Sequence, residues 1–103
     1  MKIIKVMSEK IKEELKDAEA YIDLAMEWKK DQEQAANLFA ELSKEEMGHA
    51  DKLHTVITEM IKKYREENGD PPAGMMAIYE YMHEQQIESA MMVRVKQKMY
   101  EEA

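Results

Sequence analysis

The chain has 103 residues, enough for one domain with a modest core, and it is 36% charged with a formal net charge of −7. That acidic balance argues against nucleic acid and against an anionic membrane as partners, because both need a basic patch. Cysteine is absent, which excludes disulfides, zinc–thiolate sites and iron–sulfur clusters and leaves any metal to Glu, Asp and the three histidines.

A first helix is expected over residues 3–30. Its apolar stripe steps by four and three through Met7, Ile11, Glu14, Ala18, Tyr21, Ala25 and Trp28, and fades at Lys29-Lys30-Asp31, where cations suit a helix C-terminus. The apolar run at Met1–Met7 is too short for a signal sequence, and no stretch approaches a membrane span, so a cytoplasmic protein is expected. A second helix is expected over 33–67, with the stripe Ala35, Phe39, Leu42, Glu46, His49, Leu53, Val56 and Met60. Gly69 marks its end, with Pro71-Pro72 just beyond. Asp70 is the expected N-cap of a third helix over 72–101, with Pro71 at its first position. No segment alternates with period two for long enough to be a strand. The fold expected is all-α: a single domain over 1–103, with an antiparallel hairpin of the first two helices and a third long helix. So short a chain is expected to complete such a bundle by oligomerising.

Three residues break the two stripes: Glu14, Glu46 and His49. A carboxylate in an apolar seam must be paired, protonated or bound to a metal. With the hairpin turn centred near Asp31, Glu14 falls level with a point between Glu46 and His49. Glu46 and His49, three apart, share one helical face. Oxygen donors with one imidazole suit iron or manganese. Carboxylate bundles hold two metals with a Glu from each of two helices and a Glu-x-x-His from each of the other two. This hairpin carries one of each, half of such a site.

The stretches Glu14-Leu-Lys-Asp-Ala-Glu-Ala-Tyr21 and Leu38-Phe-Ala-Glu-Leu-Ser-Lys-Glu-Glu46-Met-Gly-His49-Ala resemble the ferritin-like superfamily, nearest its rubrerythrin and small half-ferritin (encapsulated-ferritin type) branch. The resemblance covers residues 11–57. It implies that Glu14, Glu46 and His49 are metal ligands, with Glu46 bridging, His49 capping and Glu14 terminal. It implies that Tyr21 donates a hydrogen bond to a ligand, although core packing explains Tyr21 equally well. The implied cofactor is iron, two ions per site, or alternatively manganese. The implied activity is oxidation of Fe(II) by dioxygen or peroxide, or iron handling, with no catalytic residue apart from the ligands. The chain lacks the fourth helix and the cysteine-bound iron domain of rubrerythrins. The missing half would come from a second copy, a two-fold axis bringing two Glu14 and two Glu46/His49 sets together in a homodimer.

Other readings stand beside this one. Ser43-Lys-Glu-Glu46 matches a capping box and would start a helix at Ser43. Glu14 and His49 could form a buried pair that fixes register. Glu80-Tyr-Met-His83 is a second Glu-x-x-His and a second candidate ligand pair, on the stripe Met76, Glu80, His83, Ile87, Ala90. With the second turn near residue 70, His83 lies about 15 Å along the helix from the first site's level, so a solvated face is the competing account. His54 is expected to be an ordinary flanking or surface residue. The 11 methionines do not form a copper motif, since Met75-Met76 and Met91-Met92 are neighbours pointing about 100° apart. The Tyr- and Met-rich third helix supports the alternative function: a non-catalytic helical interaction or assembly protein with a structural or vestigial metal site, docking a protein partner through helix three. Small ferritin-like proteins that look phage-associated make that alternative plausible.

Overall fold

The computed structural model describes residues 2–103. Three helices account for nearly all of them: α1 (Lys2–Trp28), α2 (Glu33–Asn68) and α3 (Ala73–Glu102), with no strand among the described residues. The α1–α2 link closes tightly. The Gln32 N–H donates to the Trp28 carbonyl at 2.8 Å, and the Ala36 N–H to the Gln32 carbonyl at 2.9 Å. α2 is continuous through Ser43, so no helix starts there as a capping box would require. It ends at Gly69, whose φ of 77° is a conformation L side chains rarely adopt.

Asp70 does not cap α3. The helix begins at Ala73, and the Pro72 carbonyl accepts the N–H groups of Met75 and Met76, both at 3.1 Å. The cause is the proline pair: a residue before proline is pushed out of the helical region, so Pro71 cannot be the first helical residue. Asp70 instead lies 3.7 Å from the Arg65 guanidinium.

α1 and α2 run antiparallel. The Ser43 hydroxyl donates to the Ala18 carbonyl at 2.6 Å, and Tyr21 lies by Phe39. Both pairings centre the turn near residue 31, as the short link requires. The buried stripe of α1 is Ile4, Ser8, Ile11, Leu15, Ala18, Ile22 and Ala25. It shares Ile11, Ala18 and Ala25 with the stripe expected from sequence. The buried stripe of α2 is Ala36, Ala40, Ser43, Met47, Ala50, Ile57 and Ile61. Here the expectation is wrong by one residue throughout, a rotation of about 100°. The stripe read from sequence runs along the flank of the seam, with Ala35, His49 and Val56 exposed and Phe39, Leu42, Glu46 and Leu53 half-buried. The real seam is built largely from Ala and Ser, which let two helices approach closely but carry little hydropathy. The larger residues beside it give the stronger signal. Glu14, Glu46 and His49 therefore stand on the rim of the hairpin core, not inside it.

α3 folds back along the opposite side of the hairpin. Gln97 donates to the Ser43 hydroxyl at 3.0 Å and Gln86 to the Ser8 carbonyl at 3.1 Å, while Lys96 pairs with Asp23 at 2.9 Å. Ser43 thus joins all three helices at one buried point. At the far end the Tyr100 hydroxyl donates to the Asn37 side chain, and the Lys29 ammonium sits over the Tyr100 ring, 4.3 Å from its centre. Only Val93 and Tyr100 of α3 are buried, Val93 completely.

Candidate metal centre

Each of the three donors is one residue away from a buried seam residue: Glu14 precedes Leu15, Glu46 precedes Met47, and His49 precedes Ala50. Packing of the seam fixes these backbones, while the donor side chains project onto the flank. The Ser43–Ala18 hydrogen bond lies about one helical turn away and holds the register that brings them level.

Ligand atoms of Glu14, Glu46 and His49 lie within 4.8 Å of one another, the one such cluster of His, Asp and Glu among the described residues. The His49 Nδ1 is 3.4 Å from Glu14 Oε2 and 3.8 Å from Glu46 Oε2. The carboxylate side chains are mostly covered, 24% and 20% exposed, while the imidazole is 54% exposed. The Glu14–His49 pair considered from sequence is thus formed but not buried: the cluster opens outward on the side away from α3. Two carboxylates and one imidazole nitrogen are a hard, oxygen-rich donor set that fits Fe(II) or Mn(II). Three donors leave coordination positions free for further ligands.

Glu80 and His83 do not join this cluster. Glu80 is exposed, and the His83 ring stacks on His54, centroids 4.7 Å apart with 10° between planes. Tyr79 stacks on the other side at 5.9 Å. His83 Nδ1 is buried without a hydrogen-bond partner. Burial, and secondarily the neighbouring His54, push its pKa below the ordinary histidine value, with Glu84 opposing weakly. His54 is thus half-buried against α3 rather than an ordinary surface residue. The sequence held a signal for this pairing. With the second turn near residue 70, His83 falls beside residue 57, one turn from His54.

Tyr21 packs its ring near Phe39, centroids 6.3 Å apart, and its hydroxyl makes no hydrogen bond to Glu14, Glu46 or His49. No described helix is long and apolar enough to cross a membrane. No protein-family model, curated protein or solved structure matches the chain.

Proposed function

We propose that Glu14, Glu46 and His49 form half of a carboxylate-bridged two-iron site of ferritin or rubrerythrin type, completed by the same residues of a second copy. The protein would then oxidise or handle Fe(II). One observation carries the reading: three donor atoms converge on the open flank of the hairpin, within a rim of half-buried apolar residues that includes Met7, Phe39, Leu42 and Leu53. A two-fold axis through that flank supplies the two Glu and two Glu-x-x-His sets that such sites use.

Within this reading the roles follow from donor type. Glu46 has two oxygens and can reach two metal positions. Glu14 comes from the other helix and closes the set. His49 offers a neutral nitrogen, which limits the negative charge gathered in the site. The apolar rim, once covered by the second copy, excludes water and strengthens every charge interaction inside. Bound Fe(II) would supply the electrons for reduction of dioxygen or peroxide.

The test is anaerobic Fe(II) titration followed by air, read in the near ultraviolet, beside His49→Ala. Saturation at one iron per chain, with a ferric absorption lost in the variant, is the expected result. No binding in the wild type would demote the cluster to an ion-pair network.

A second reading is favoured by a different observation: large apolar side chains stand exposed along α3. On that reading the chain is a non-catalytic assembly protein whose metal site is structural or vestigial. Assembly and stability would then be the same with and without metal.

A further inference from the structure

Two of the three histidines lie outside the Glu14 cluster, and both stand where α3 meets α2. The His54 and His83 rings are stacked with centroids 4.7 Å apart, and Tyr79 continues the stack 5.9 Å beyond His83. The two imidazoles border a cavity of about 190 Å³ between the three helices. Its floor is the hairpin seam: Ile11 and Leu15 from α1, Met47 and Ala50 from α2.

The two halves of α3 are held by different forces. The second half is clamped. Lys96 pairs with Asp23, Gln97 donates to the Ser43 hydroxyl, Lys44 pairs with Glu101, and Val93 and Tyr100 are buried. The ion pairs that α3 makes with the hairpin begin at Arg94. Between Ala73 and Ala90 no residue is buried. Met76, Tyr79 and Ala90 rest half-buried on the core, Gln86 donates to the Ser8 carbonyl at 3.1 Å, and His83 stacks on His54.

What a proton on His83 does is set by what surrounds the ring. Its Nδ1 is buried without a hydrogen-bond partner, so a charge there gains no acceptor. On α2 it faces the His54 ring, and the nearby Asp51 is engaged by Arg94 at 3.7 Å. On α3 it is flanked by Tyr79 and by Glu84, which is exposed. On α1 the cavity presents apolar Ile11 and Leu15, while Lys12 lies in a separate groove beside Gln86. Lys62, Arg65 and Glu66 of α2 line another groove, beside Tyr79 and Glu80. Burial and His54 both disfavour the charged ring, and together they outweigh Glu84. The stack therefore holds a neutral imidazole, and a protonated one is better accommodated in water.

We propose that the His54–His83 stack is an acid-labile clasp: protonation of His83 frees the first half of α3 and uncovers the seam at Ile11, Leu15, Met47 and Ala50, while the second half stays clamped. The device goes beyond the metal reading and does not depend on it. A half-helix released from packing is marginal in water, so its amide hydrogens become open to exchange.

Amide hydrogen exchange on the full chain in EDTA tests this, with rates corrected for the intrinsic rate at each pH. From pH 7 to pH 5, protection of residues 76–90 should fall about threefold or more beyond any fall in residues 93–101 and in α1. In His83→Phe, which keeps a ring in the stack without the proton, the two halves should respond alike. Should that variant misfold, an NMR titration of the wild-type His83 imidazole decides instead, and it should titrate below the ordinary value of 6.5. Equal loss of protection in all three helices would overturn the proposal, since the acid effect would then be global unfolding. So would a loss in the first half that persists in His83→Phe, or a wild-type His83 that titrates at or above 6.5.

Discussion

At the scale of residues, the flank cluster and the histidine stack behave differently. Glu46 is mostly covered, yet it borders open space, so Glu46→Ala should cost little stability while removing the proposed bridging ligand. The expected result is unchanged helical circular dichroism with no stoichiometric iron; iron retained at the wild-type ratio would sink the ligand assignment. His83 is the opposite case, since its protonation opposes folding. Its folded pKa is depressed, so the unfolded chain binds the proton more readily. The stability it contributes is complete above the ordinary histidine value of 6.5 and is lost as pH falls below it towards the folded value. The groups around the stack are His54 and Asp51 on α2 and Tyr79, Glu84 and Arg94 on α3, while α1 presents apolar Ile11 and Leu15 beside it. The thermal midpoint should fall between pH 7 and 5, and His83→Phe should flatten that slope. An equal slope in the variant would assign the pH dependence to other groups.

Among the elements, the register of three helices depends on small residues that hydropathy reading passes over. Ser43 accepts from Gln97 and donates to Ala18, so Ser43→Ala should cost about 1–3 kcal/mol, measurable by urea unfolding. Ile57→Ala, at a fully buried position, should cost about 2–5 kcal/mol in the same measurement. The helix count, both turns and the antiparallel register were legible in the sequence because Lys29-Lys30-Asp31 and Gly69 with its two prolines punctuate it sharply. The convergence of Glu14 with Glu46 and His49 was legible too, because a turn centre fixes which residues are level. The core face of α2 was not. Two stripes of spacing four and three lie side by side on that helix, and the one with Phe39, Leu42 and Leu53 is the more apolar. It marks a surface at the rim, while Ala36, Ala40 and Ser43 make the contact. Height alone also left His83 against a solvated face, since spacing along one helix does not reveal which neighbouring ring it will stack upon.

For the whole molecule, three helices pack into a rod of 56 × 19 × 17 Å, with half-buried apolar residues along the Glu14 flank and exposed ones along α3. In the proposed function a second copy covers the Glu14 flank. The Glu14 contact gathers four carboxylates around a two-fold axis, a repulsive arrangement without cations. Metal should therefore act as a ligand of the assembled state, raising stability by about 2.7 kcal/mol at a hundredfold excess over its dissociation constant. For a domain of this length that corresponds to a rise of about 10–20 °C in thermal midpoint. Manganese under argon separates binding from oxidation. The wild type should gain both a higher midpoint and a larger sedimentation coefficient on adding Mn(II), and His49→Ala should gain neither. If Mn(II) changes neither quantity and Fe(II) does not bind, the Glu14 flank is not a metal-built interface.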